Sequence, residues 1–175
     1  RQRDIYLYSN VHRERLYSIN MAKLTREEVI EKAAAGKSLE RANLAGVDLS
    51  GANLRGAKLS RAKLRDANLC DANLREADLS RADLYKANLT RANLSRANLR
   101  SATLTWANLY EADLQGASLG HADLRWAWLG KANLSGASLT TANLRWAYLE
   151  GAEYDQYTTF PEGFVPEENW MTLKE

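Results

Sequence analysis

Apolar residues return along this chain at a fixed interval of five. From Leu44 to Leu149 every fifth residue is leucine, 22 positions with nothing inserted or lost. Two residues before each leucine stands alanine, from Ala42 to Ala147, with Val47 the one substitute. Between them, 15 of the 22 positions are Asn or Asp, and the other seven are Lys58, Lys63, Thr103, Ser118, Trp128, Ser138 and Tyr148. A five-residue step carries a side chain roughly 140° around an α-helix, so the leucines would form no apolar face. A straight strand fails as well, because an odd period sends successive leucines to opposite sides. Ala and Leu, two apart, do share one side of a short extended segment. The two residues after each leucine must then face out, which requires the chain to turn. A chain turning every five residues closes into a coil, and coils stack by pairing their backbones. The period predicts a β-solenoid.

The repeated A-[DN]-L-x-x resembles the pentapeptide-repeat family, over about 112 of the 175 residues. The resemblance implies an all-β fold, a right-handed quadrilateral β-helix with four pentapeptides per coil. Residues twenty apart would stack, and five and a half coils would rise roughly 26 Å at about 4.8 Å per strand spacing. Leucine would fill the centre, and alanine is small enough to let four walls approach. Such a rod has two open ends, and both need covers.

The flanks divide the chain further. Residues 1–24 have no firm period and fit a helix, an extended arm or part of a partner domain. Thr25 and Glu28 read as a capping box, Leu24 and Val29 as a hydrophobic staple, and Gly36 as a C′ glycine. A short helix from Arg26 to Ala35 follows, in a capping segment 25–38 that covers the first rung with Leu24, Val29, Ile30 and Ala33. The coil is assigned to 39–154. Tyr154 takes a leucine slot, and the tail, 155–175, follows with Tyr157 and both prolines. Proline donates nothing to a ladder, so Pro161 and Pro166 should end the stack. Phe160, Phe164 and Trp170 are expected over the last rung. The F-P-E-G-F-x-P string looks like the tail of cyanobacterial pentapeptide-repeat proteins.

Charge and chemistry narrow the function classes. The whole chain carries +2, from 24 basic and 22 acidic residues, which announces no partner. The single cysteine, Cys70, excludes an internal disulfide and suits a reducing, cytoplasmic setting. No apolar run approaches membrane-spanning length, so no membrane insertion is expected. His12 and His121 stand alone, Asp113 and Asp123 occupy the repeat slot, and no metal, phosphate-loop or nucleophile motif occurs. No cofactor or metal is expected, and a leucine-filled interior offers a substrate no cavity. The chain reads as a non-enzyme.

Function must therefore lie on the outer columns. Asp66 over Lys86, Asp71 over Arg91 and Glu76 over Arg96 set opposite charges on adjacent rungs. Arg55 over Arg75, Arg61 over Arg81 and Arg125 over Arg145 stack like charges. With Lys58, Arg96 and Arg100, the first two of these columns make a basic patch: Arg55, Lys58, Arg61, Arg75, Arg81, Arg96 and Arg100. It is either a solvated face or a seat for an anion. Trp106, Trp126 and Trp146 share another column, flanked by Trp128 and Tyr148. Such a patch is covered either by the chain's own tail or by another molecule, a second copy giving a homodimer.

The family resemblance brings one further role, mimicry of duplex DNA toward type II topoisomerases. Residues 41–152 carry 15 Lys and Arg against 10 Asp and Glu, a net of +5 where a phosphate mimic should be acidic. Nucleic-acid binding suits the sign better but has a thin footprint. The expectation is a structural module that presents rigid walls to a protein partner.

Overall fold

The computed structural model describes residues 23–174. Parallel single-residue bridges join positions twenty apart: Asn43 with Lys63, Lys63 with Asp83, Asp48 with Asn68, and onward to Asn133 with Glu153. One coil therefore takes four pentapeptides. Every leucine of the repeat from Leu44 to Leu139 is fully buried, and the alanines from Ala52 to Ala142 line the same core.

The backbone accounting explains the rest of the motif. In the pentapeptide around Asn88, the Asn88 N–H donates to the Ala67 carbonyl on one neighbouring coil, at 2.9 Å. The N–H groups of Leu89 and Arg91 donate to Asn108 and Tyr110 on the other, at 2.7 and 2.9 Å. Ala92 closes the corner onto the Leu89 carbonyl at 3.0 Å. That leaves one donor, the N–H of Thr90, and the Asn88 Oδ1 accepts it at 3.1 Å. All fifteen Asn and Asp residues of the slot make this bond to the residue two ahead. It is an Asx turn, available to a short side chain ending in an acceptor. The amides also ladder between coils: Asn68 Nδ2 donates to Asp48 Oδ1 at 3.0 Å, and Asn88 to Asn68 at 3.1 Å.

The second corner residue takes a positive φ, and the slot is not reserved for glycine. Gly46 sits at 61°, but Trp106, Trp126 and Trp146 hold 62°, 59° and 62° in the same column. Left-handed backbone costs a side-chain-bearing residue roughly 1–2 kcal/mol. The corner and inter-coil hydrogen bonds hold it there. The β-branched Thr141 does not adopt it, and its hydroxyl accepts the His121 N–H at 2.9 Å.

At the amino-terminal end, helix α1 runs Arg26–Ala34 with the expected capping box: Thr25 Oγ1 accepts the Glu28 N–H and Glu28 Oε2 the Thr25 N–H. It closes in a Schellman motif, with Lys37 N–H on the Lys32 carbonyl and Gly36 N–H on that of Ala33. Val29 is fully buried, and Leu24, Ile30 and Ala33 pack on the core. The Arg26 guanidinium donates to the carbonyls of Asp48 and Ser50 at 2.9 and 2.8 Å. The unassigned segment before Lys23 lies outside the described residues.

The carboxy-terminal end departs from expectation. The prolines do not end the stack. One extra residue enters the corner after Tyr154, so that Thr159 pairs with Ser138 at a spacing of twenty-one. Asp155 and Thr158 knit that enlarged corner: Asp155 Oδ1 accepts the N–H groups of Gly136 and Tyr157, and Thr158 Oγ1 donates to the Leu134 carbonyl. Beyond a short 3-10 turn at Glu167–Asn169, the chain returns to the ladder. There strand β2 (Thr172–Leu173) pairs parallel with β1 (Glu153–Tyr154), nineteen residues on. In this partial rung Met171 takes the alanine slot and is buried, while Trp170 falls in the outward corner slot at φ 51°. Trp170 therefore faces solvent instead of covering the last rung. Phe160 and Phe164 do pack there, stacked at 5.0 Å, with Tyr154 edge-on to Phe160 at 5.6 Å.

This accounting sets three stability outcomes. Leu104→Ala, in the middle of the leucine stack, should cost about 2–5 kcal/mol in a urea melt. Asn88→Ala removes the acceptor of the Thr90 N–H and should cost about 1–3 kcal/mol. Ser118→Ala, in a slot that carries no Asx bond, should sit near the wild type in the same melts.

Candidate interaction surfaces

Twenty residues per coil and one outward corner slot per pentapeptide set the aromatic column. The indoles of Trp106 and Trp126 stack with centroids 5.2 Å apart and planes within 5°. Trp126 and Trp146 follow at 4.6 Å and 16°. Trp128 and Tyr148 lie on the adjoining wall, tilted to each other at 6.1 Å. The five predicted residues thus form one patch at the corner. The patch is uncovered by the tail: Trp106, Trp126, Trp128, Trp146 and Tyr148 are 46, 39, 56, 52 and 45% exposed. Only the top edge of the ladder nears the tail, where Trp146 shares a groove with Pro161, Phe164 and Val165. The reason is the partial rung, which spends residues 170–173 on the ladder and leaves the tail no reach along the corner.

Charges frame this patch. The Arg145 guanidinium lies 4.0 Å over the Trp146 ring, and Arg125 is held by Asp123 through two contacts of 2.8 and 2.7 Å. The Arg125–Arg145 column therefore avoids a like-charge contact. Arg125 also holds the Asp123 carboxyl below the usual range. On the far side of the wall, Tyr148 donates to Glu150, which raises the Tyr148 phenol above its ordinary value. Two residues of this wall escaped the sequence reading. Gly130 is buried beneath Tyr148, where a Cβ would stand 2.9 Å from Tyr148 Cε1 and 3.2 Å from Tyr110 Cδ2. Tyr110 thereby joins the aromatic surface. Gly130 standing between Tyr110 and Glu150 in one twenty-residue column is the sequence signal that could have found it.

Members of the predicted basic patch are divided between two corners. Glu76 lies between the stacked Arg55 and Arg75, 3.1 Å from Arg55 Nη2 and 3.3 Å from Arg75 Nε. The hydrogen bond from Arg55 leads the effects that lower the Glu76 carboxyl. Glu76 is thus committed there and does not pair with Arg96. Asp66 has no ion pair with Lys86, whose ammonium stands 5.4 Å from the Tyr85 ring. Of the three expected pairs, Asp71–Arg91 forms, at 2.8 and 2.7 Å, and Arg91 holds the Asp71 carboxyl below its usual range. Arg61, Arg81 and Arg100 gather instead at another corner, around a groove of about 570 Å³ that also takes in His121.

Candidates for other chemistry remain separate. Cys70 Sγ lies 3.2 Å from Asp71 Oδ2, and burial and that carboxylate raise its thiol. Among the described residues no group of three His, Cys, Asp or Glu is placed to hold a metal ion, and no helix is long and apolar enough to cross a membrane.

Comparison with known proteins completes the picture. The pentapeptide repeats model matches residues 38–75, 77–116 and 117–153. Among solved structures, the chain is similar to a pentapeptide repeat protein from the cyanobacterium Cyanothece 51142, at 43% identity over 59% of this chain and 67% of that one, TM-score 0.31. It is similar to HetL of Nostoc sp. strain PCC 7120, a pentapeptide repeat protein involved in heterocyst differentiation regulation, at 25% identity over 86% and 93%, TM-score 0.39. A thylakoid lumen pentapeptide repeat protein of Arabidopsis thaliana aligns at 25% identity over 57% and 66%, TM-score 0.34. No curated protein gives a match. With its repeats matched across 38–153 and its coils wound as a β-helix, this chain belongs to the pentapeptide repeat family.

Proposed function

We propose that this protein is a non-enzymatic interaction module of the cytoplasm, a four-walled, quadrilateral rod that presents its aromatic corner to a protein partner. In this reading residues 25–38 cap one end, 39–154 form the rod, 155–175 close the other end, and 1–24 are an extension. Trp106, Trp126, Trp128, Trp146 and Tyr148 are the contact residues. One observation carries the proposal: five large aromatics stand side by side on one corner, all exposed. Contiguous exposed apolar surface on a soluble chain marks a contact site. The stacked indoles are already immobilised by one another, so binding orders little side chain, and tryptophan dominates many interfaces. The core of leucine and alanine agrees with a scaffold role.

Trp126→Ser with Trp128→Ser should leave the far-UV spectrum unchanged and weaken partner capture by about tenfold or more. Sedimentation at rising concentration identifies a second copy as the occupant if a dimer forms and the double variant abolishes it. A monomer whose double variant captures the same proteins as the wild type would overturn the proposal.

A further inference from the structure

Most arginines on these walls are answered by an acid. Glu76 serves Arg55 and Arg75, Asp83 serves Arg65, Asp71 serves Arg91 and Asp123 serves Arg125. Among the described residues Arg96 and Arg145 have no carboxylate within ion-pair reach, and neither do Arg81 and Arg100. Arg81 and Arg100 stand one rung apart with Arg61 below, and all three line the 570 Å³ groove. Three guanidiniums on successive rungs rise over about 10 Å.

The remaining lining is polar: the hydroxyls of Ser60, Ser80 and Ser101, and His121. Two acids are present and must be counted. Asp78 Oδ1 accepts the Ser80 N–H and Asn98 Nδ2, both at 3.0 Å, so its role is structural. Glu40 makes only loose contacts, 3.7 Å to Arg41 and 3.9 Å to Arg61. Three guanidiniums against two carboxylates leave one net positive charge.

We propose that this groove binds a chain of linked phosphates. Guanidinium forks match phosphate oxygens in pairs, and the serine hydroxyls add neutral donors. The vertical row of cations suits a linear anion lying along the rod, whose negative charges repeat. Two observations argue against a nucleic acid as occupant. No Trp, Tyr or Phe lines the groove, so no base has a surface to stack on. On the neighbouring corner Glu76 engages both Arg55 and Arg75, which lowers the positive charge free to widen the footprint for a duplex. Glu40 is a competitor at the foot of the groove, displaced from Arg61 when the anion enters.

Calorimetric titration of the full chain with tripolyphosphate and orthophosphate in low-salt buffer tests this. Tripolyphosphate should bind at least about tenfold more tightly than orthophosphate, since each added phosphate meets another charged donor. Arg81→Gln with Arg100→Gln should weaken it by about tenfold or more, Arg55→Gln with Arg75→Gln by less than about twofold, and Glu40→Gln should tighten it. Thermal melts check that each variant folds. Absence of binding would overturn the proposal, as would equal losses in the two arginine pairs, which would mark a diffuse field. Tighter binding of a DNA duplex than of tripolyphosphate would also overturn it, in favour of a nucleic-acid surface.

Discussion

A buried N–H with no acceptor costs about 1–3 kcal/mol, and a chain that turns every five residues creates one such donor at every corner. The coils of this protein satisfy four of five backbone donors from backbone alone. The fifth, two residues after the Asn or Asp slot, depends on a side chain. That dependence explains why the motif is A-[DN]-L and not merely alternating apolar and polar. Leucine fills the interior and alanine sets the wall, but the carboxamide or carboxylate completes each turn. Where the slot holds Trp128 or Tyr148 that acceptor is absent, and the residue two ahead is Gly130 or Glu150.

Because the coil is secured by its inward and slot residues, the corner positions are released from folding duty. They accept any side chain that tolerates a left-handed backbone, from Gly46 to Trp146 in one column. A solenoid with this division repeats each outward choice about every 4.8 Å. Repetition turns single substitutions into ladders: three indoles on one corner, and on another Arg61 and Arg81, which Arg100 joins from the adjacent slot. Both surfaces are rigid because their spacing is that of the backbone ladder.

Electrostatics then separate the corners. Carboxylates one slot or one rung away pair with most arginines, which relieves the repulsion of stacked like charges. The resulting wall is a patchwork of closed ion pairs with one open basic groove, and a net charge of +5 summed over the coil conceals that. The aromatic corner is framed by Arg125 and Arg145, of which one is paired and one lies over an indole.

The alignment of Trp106, Trp126 and Trp146 needed the four pentapeptides per coil that the family resemblance implies, whereas the five-residue period was enough to determine the coil and its leucine core, and Thr25, Glu28 and Gly36 the amino-terminal helix with its cap. These follow from spacing and local chemistry, and spacing is fully written in the chain. Trp170 shows where spacing stops. A one-residue expansion after Tyr154 and a nineteen-residue return to β2 shift the register, so Met171 turns inward and Trp170 outward. Charge pairing was equally out of reach, since Arg55, Arg75 and Arg96 all neighbour Glu76 in register and long side chains choose among them. Only the tertiary structure decided that Glu76 closes Arg55 and Arg75, that the tail leaves the indoles bare, and that Arg61, Arg81 and Arg100 share a groove with His121. Register of a regular repeat is a property of backbone length, whereas the reach of a charged side chain and the path of an irregular tail are settled by competing contacts in three dimensions.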